Sequence, residues 1–297
     1  MAKRAKNIAL VCPGGPITRD LAKELGEIAA DHCESAATLH FHEQCFLQAG
    51  HFAGTDAERS AAFLEVANDP KMDAVWFARG GYGAGRLDND LYENLNEAAR
   101  GKTYLGYSDA GVILARLHGL GIGKSVHGPM ATDLVRVDGH AAMRRALDFL
   151  VAGKKSHCEP AAMRAPSYAF NITVLAHMIG LDWAPEFSGR IVMLEDVGEY
   201  LYRIDRAMQA IITSPKMSGA AGIMLGRISD VPENDRPFGA DAEEIARYWC
   251  DRAGVDFLGS ADIGHDSDNK IVPFLNDDEI DQDAANNVVQ FSRRSRT

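Results

Sequence analysis

Ser108 lies in Gly106-Tyr107-Ser108-Asp109-Ala110, between the short apolar run Thr103-Tyr104-Leu105 and a stretch with helical spacing from about Asp109 to His118. Small residues two places before and two after a serine, at a strand-to-helix turn, approximate a nucleophile elbow, in which a sharp turn lifts the hydroxyl out of the sheet. Helix N-terminal amides then point at the reacting atoms, and the backbone N–H of Asp109 is placed to hold an oxyanion. The same residues also describe a helix N-cap, so the segment by itself leaves both readings open. A serine nucleophile needs a base, and ten histidines compete for that role. His265 differs from the others because it lies in ADIGHDSDNKIVP, a polar loop after an apolar stretch, where rigid scaffolds often place catalytic side chains. The third member of such a set is a carboxylate at a strand end, and LEDVGE at 194–199 closes an apolar run. Glu195 is the better placed there, since Glu199 follows Gly198 in a turn and has the ordinary role of a negative charge near a helix N-terminus.

The segment RGGYGAGRL at 79–87 is dense in glycine at the end of another apolar run. Its spacing is not that of a dinucleotide fingerprint, but the adjacent Gly80 and Gly81 let a substrate approach backbone N–H groups closely. Pro13-Gly14-Gly15-Pro16 makes a similar turn without the lysine that a phosphate loop carries. His40 and His42 share one face of a short strand, yet no acid or cysteine stands at ligand spacing, so they read as exposed strand residues and no metal is expected. No cofactor is expected either.

The elements that must position these groups alternate. Strands are expected at 7–12, 39–41, 73–78 and 103–105, with helices beginning after Pro16, over 56–67 behind a Thr55 N-cap, after residue 87, over 109–118, and over 139–153. Strands alternating with helices imply a parallel sheet. Residues 154–166 lose periodicity and gain two prolines and a lysine pair, which marks a linker. Beyond it, 189–196 reads as a buried strand, 202–213 as a helix and 222–226 as a short strand. The division is therefore residues 1–153 carrying the elbow, 154–166 as linker, and 167–297 carrying the acid and the histidine. The acidic stretch NDDEIDQDAANN near the end reads as a solvated tail.

Composition bounds the rest. At 297 residues, with 46% hydrophobic and 25% charged side chains, the chain can bury a full core and is not disordered or fibrous. A formal charge of -11 repels the phosphate backbone, which disfavours nucleic acid and acidic membranes as partners. Five cysteines with no CxxC pair fit a reducing cytoplasm, and no apolar run has the length of a signal peptide core or a membrane span.

The blocks FAGTDAERSAAFLEVANDP, ARGGYGAGRL, GYSDAGVIL, HGPM, LEDVGEYLYRIDR and GHDSDN occur in an order that resembles the LD-carboxypeptidases, or muramoyltetrapeptide carboxypeptidases, and the related microcin C self-immunity serine peptidases. The resemblance runs from about residue 8 to 275. It implies a Rossmann-like, parallel-sheet N-terminal domain joined to a smaller α/β C-terminal domain, paired as a homodimer. It also implies a Ser-Glu-His triad, which falls on Ser108, Glu195 and His265, with oxyanion-hole amides at Gly81 and Asp109 and no metal. The implied activity is removal of the terminal D-alanine from murein tetrapeptide after meso-diaminopimelate, in cell-wall recycling. The alternatives are hydrolysis of an aminoacyl or peptidyl nucleotide, which calls for an aromatic platform where Trp183 reads rather as a core or interface residue, and a non-catalytic protein that binds a small anion. The sequence departs from the family at YAFNIT (168–173), where Asn171 is kept but Ala169 and Phe170 replace glycines. On this reading Gly80, Phe170 and Asn171 shape the substrate cleft. A second departure is Pro273-Phe274-Leu275, which lacks a family glycine.

Overall fold

The computed structural model describes residues 4–280, which form two compact units. The first comprises residues 4–157 together with 266–269, and the second residues 158–265 with 270–280. The part of the acidic tail beyond residue 280 lies outside the described residues. Its beginning is a short 3-10 turn, Asp277–Glu279, followed by a buried Ile280.

In the first unit, β1 (Lys6–Val11), β2 (Ala37–Phe41), β3 (Ala74–Phe77), β4 (Thr103–Gly106) and β5 (Lys124–His127) form a parallel sheet in the order β5-β4-β3-β1-β2. Ile8 to Val11 are at most 1% exposed, as expected of an inner strand of a sheet covered on both faces. The helices are α1 (Arg19–Cys33), α2 (Asp56–Asn68), α3 (Glu97–Arg100), α4 (Gly111–Gly119) and α5 (Gly139–Ala152). Their starts are chemically marked: Thr18 caps α1 through the Leu21 N–H, and Thr55 forms a reciprocal capping box with Glu58 on α2. Gly153, at φ +64°, ends α5 in the left-handed conformation that glycine tolerates. The helix expected after residue 87 is instead a 3-10 segment, Asn89–Asn94, and the single turn α3. Strand β5 was not expected, because its four residues, KSVH, carry no apolar run.

In the second unit, β6 (Ser167–Asn171), β7 (Ile191–Val197), β8 (Gly222–Ser229) and β9 (Phe257–Ser260) form a second parallel sheet in sequential order, with α6 (Ile172–Met178), α7 (Leu201–Ile212) and α8 (Ala242–Ala253) as its helices. The unit boundary falls between His157 and Cys158, inside the segment expected as a linker. The remainder of that segment is packed: Cys158 and Glu159 are buried, and Ala162, in the 3-10 turn Pro160–Met163, is fully buried against β6 and β7 residues. Periodicity is missing there because the segment is irregular: Lys154, Lys155, Ser156, Pro160 and Arg164 are exposed, while Cys158, Glu159 and Ala162 are buried. Sequence order also hides the return of residues 266–269 to the first unit.

Candidate active site

Ser108 ends the β4 turn at φ +57°, a left-handed conformation that a non-glycine residue occupies only under constraint. Two features hold it there. Gly106 approaches so closely that a Cβ would lie 2.8 Å from Phe77 Cδ2. Tyr107, fully buried, donates its hydroxyl to Asp133 at 2.7 Å, and Asp133 also accepts the Met130 N–H and Arg136 Nε at 2.9 Å each. The capping alternative is not realised: neither the 3-10 turn Ser108–Ala110 nor α4 begins with a side-chain cap. Ser108 and Asp109 are half-buried.

Gly80 meets the serine directly. A Cβ on Gly80 would lie 3.1 Å from Ser108 Cβ and 3.3 Å from its Oγ, so glycine is what allows the β3 loop to lie against the β4 elbow. Gly81 follows at φ +78°. The loop is held from two sides. Gly14 approaches so closely that a Cβ would sit 2.2 Å from the Gly81 carbonyl oxygen, and the Gly15 N–H donates to the Gly80 carbonyl at 3.2 Å. From below, Arg59 of α2, 1% exposed, donates to the carbonyls of Gly83, at 2.8 Å, and of Pro13, and pairs with Asp56. Arg59 belongs to the FAGTDAERS block but was not singled out from sequence; an arginine on an otherwise apolar helix face is the signal that it is tied to backbone. The first unit thus brings Gly80, Gly81, Ser108 and Asp109 together at the carboxyl ends of β3 and β4, where parallel sheets of this kind place their ligands.

The second unit assembles the acid and the histidine. His265 Nδ1 lies 2.6 Å from Glu195 Oε2, with the side chains 9% and 0% exposed. Glu195 stands where β7 and β8 shift register between Leu194 and Asp196, so that β8 carries an extra residue opposite it. Gly226 makes room there: a Cβ would lie 3.0 Å from Glu195 Cβ and 2.7 Å from both Ile263 Cγ1 and its carbonyl oxygen. The next β8 residue, Arg227, donates its N–H to the Ile263 carbonyl at 2.8 Å and its guanidinium to Asp262 at 2.5 Å. Asp262 N–H in turn donates to the buried Glu159 at 2.9 Å. These contacts fix the segment that carries His265. Burial pushes the Glu195 carboxyl up; the adjacent His265 opposes this, and neighbouring Asp196 adds to it. Glu199 has a different post, 3.2 Å from Arg203 one turn along α7.

Not every expected site residue reaches a surface. Phe170 is 1% exposed and packs with Tyr168, Phe187 and Phe274 in the core of the second unit. Asn171 caps α6 by accepting the Val174 N–H at 3.0 Å and donates to Asp196 at 2.8 Å. Phe170 is core in this unit, which corrects its expected place in the cleft, since an aromatic ring in a strand interior is buried for its area; Asn171 stands opposite Glu195 in the β6–β7 register, and its side chain opposes the rise of that carboxyl. Trp183 is half-buried in the turn after α6. His42 caps the 3-10 turn Glu43–Phe46 and lies 3.3 Å from Glu65, while His40 lies 3.1 Å from the Asn7 side chain. Among the described residues no group of histidines, cysteines and acids is arranged to hold a metal ion.

Residues 266–269 are secured within the first unit. His127 Nε2 lies 3.0 Å from Asn269 Oδ1, both buried, and Arg145 donates to the carbonyls of Ser267 at 2.6 Å and Asn269 at 3.2 Å. His127 opens the HGPM block, and Arg145 was not picked out from sequence.

The constrained serine thus belongs to the first unit and the buried carboxylate–imidazole pair to the second. The sequence matches the LD-carboxypeptidase N-terminal domain over residues 8–128 and the LD-carboxypeptidase C-terminal domain over residues 166–277, and the chain belongs to that family. It is similar to a Synechocystis protein named "Putative carboxypeptidase slr1534", at 34% identity over 235 residues and 75% of each chain. It is also similar to the murein tetrapeptide carboxypeptidase of Pseudomonas aeruginosa, at 27% identity over 288 residues and 90% of each chain. Among solved structures, muramoyltetrapeptide carboxypeptidase from Oxalobacter formigenes superposes with a TM-score of 0.73 at 24% identity, covering 91% of this chain and 92% of that one. MccF in complex with glutamyl sulfamoyl guanosine superposes with a TM-score of 0.71 at 15% identity, covering 94% and 98%. The last two comparisons speak to fold alone.

Proposed function

We propose that the chain is a serine carboxypeptidase that removes the terminal D-alanine from murein tetrapeptide, with Ser108 as nucleophile, His265 as base and Glu195 as the acid that orients it. The observation that carries the reading is the backbone of Ser108: a serine held at φ +57° with no capping bond has a constrained conformation that a capping role does not account for. In the reaction, Ser108 Oγ attacks the carbonyl carbon of the bond between diaminopimelate and D-alanine while His265 Nε2 takes its proton. Glu195 on Nδ1 fixes the tautomer and stabilises the imidazolium. The oxyanion is received by the N–H groups of Gly81 and Asp109. Collapse breaks the C–N bond, and the proton on His265 passes to the departing D-alanine amine. Water, deprotonated by the same imidazole, then attacks the acyl-serine and restores the enzyme. The names of the relatives favour murein peptide as the substrate. None of the five cysteines is joined in a disulfide, which favours action in a reducing compartment, the cytoplasm. Among the described residues no helix is long and apolar enough to cross a membrane. We also infer that the chain pairs as a homodimer; a light-scattering mass of one chain would refute this.

The test compares Ser108→Ala and Ser108→Gly with wild type on murein tetrapeptide, with an aminoacyl sulfamoyl adenylate as the second substrate. Both variants are expected to lose turnover. Ser108→Gly is also expected to raise thermal stability, by roughly 1 kcal/mol, since glycine relieves the left-handed conformation. Turnover near wild type in either variant would remove Ser108 from the mechanism, and faster cleavage of the adenylate would reassign the substrate.

A further inference from the structure

Arg79 follows β3 and immediately precedes the glycine that touches the nucleophile. Its guanidinium lies over Gly15, where a Cβ would come within 3.2 Å of Nε and 3.5 Å of Cζ. Nη1 donates to the Pro16 carbonyl at 2.7 Å. Gly15 in turn bonds the Gly80 carbonyl, so the backbone of one glycine lies between this cation and the loop that meets Ser108.

Three features make Arg79 a receptor rather than a brace. It is exposed, and among the described residues it has no carboxylate partner. The other two arginines of the neighbourhood are engaged: Arg59 is buried on two carbonyls and Asp56, and Arg86 lies 2.8 Å from Asp56. A guanidinium carries five N–H donors in a planar fork matched to a carboxylate, and the Pro16 carbonyl engages one of its nitrogens. A carboxypeptidase differs from an endopeptidase in requiring a free α-carboxylate on the residue that leaves, one residue from the bond that is cut. Such an enzyme needs a cation within one amino-acid length of its nucleophile.

We propose that Arg79 binds the α-carboxylate of the C-terminal residue of the substrate and so restricts the enzyme to chain ends. The proposal rests on the carboxypeptidase reading with Ser108 as nucleophile. It predicts that wild type prefers a tetrapeptide acid over the same tetrapeptide with a C-terminal carboxamide, and that the preference resides in Arg79.

The experiment measures binding of the acid and of the carboxamide to Ser108→Ala, Ser108→Ala/Arg79→Gln and Ser108→Ala/Arg79→Lys by calorimetry, alongside kcat and KM for Arg79→Gln. The single variant is expected to bind the acid roughly tenfold more tightly than the amide, the order of one charge-assisted hydrogen-bonded pair. Arg79→Gln should abolish that ratio by weakening the acid alone, raise KM more than it lowers kcat, and leave affinity for the amide unchanged. Arg79→Lys should keep part of the preference, because it keeps the charge and loses the fork. Equal weakening of acid and amide, which a purely structural link between Arg79 and the Pro16 loop predicts, overturns the proposal. So does an acid preference that survives Arg79→Gln, or no preference at the outset. Persisting turnover in Ser108→Ala would instead refute the nucleophile while leaving the binding ratio to judge Arg79.

Discussion

The Glu195–His265 pair sets two demands against each other in a single residue. Burial favours the neutral carboxyl, whereas orienting a histidine requires the anion. An acid whose pKa rises on folding is most favourable to the folded state below its usual pKa, and that contribution is lost as pH rises, so at neutral pH the Glu195 charge works against stability. Glu195→Gln keeps an acceptor for the Nδ1 proton and removes the buried charge. Its kcat should fall by roughly three to four orders of magnitude, while its melting temperature stays level or rises. Glu199→Gln is the control. Its carboxylate lies on Arg203, itself largely exposed, and should change kcat and stability little. Paired kinetics and calorimetry on the two variants check the assignment, and the opposite ranking would move the orienting role to Glu199.

At the level of elements, the site depends on places where regular structure gives way. Gly226 and the β8 bulge admit Glu195 and Ile263, and Gly226→Ala would drive a Cβ into the Ile263 carbonyl. The expected result is a loss of roughly tenfold or more in kcat with His265 displaced, seen as a change in the histidine ring signals by NMR, together with destabilisation of about 1–3 kcal/mol. Wild-type kcat in that variant would show that the bulge does not position the pair. The alternation of apolar runs with helical spacing made β1, β3, β4, β7 and α2 legible, since each buries a continuous stripe or a capped face. Ser108 stands out in the sequence because glycine and alanine lie two places to either side of it, and His265 because its loop is polar. Strand β5 and the Phe170 environment were not legible. Four residues with polar ends give no periodic signal, and whether a strand aromatic faces a core or a cleft depends on partners distant in sequence, here Phe187 and Phe274. The bulge was equally hidden, because register is a relation between strands and not a property of one.

Across the whole molecule, the first unit is clamped by Asp148 of α5, which meets Lys154 at 2.7 Å, His157 at 2.9 Å and His32 of α1 at 3.0 Å. Burial pushes the carboxyl up, but the hydrogen bonds from Lys154, His157 and His32 prevail and hold it at about 2. A depressed carboxylate stabilises the fold above its usual value near 3.8, and that contribution is lost as pH falls through about 2. Asp148→Asn should therefore cost about 1–2 kcal/mol at pH 7, allowing for solvent screening, and the gap from wild type should narrow in denaturant titrations carried towards pH 2. A gap independent of pH would assign the loss to packing. The composition of the first unit has a further consequence, for how such chains can diversify. Because residues 266–269 belong to it while interrupting the second unit in sequence, no single cut divides the gene into two self-sufficient parts. A crossover between two relatives anywhere from residue 158 to 265 would give the first unit its His127 from one parent and its Asn269 from the other, two buried groups that must match as donor and acceptor. Inheritance of the halves is thereby coupled: variation in the acid-and-histidine unit is selected together with the serine unit, and modular shuffling demands three breakpoints in place of one.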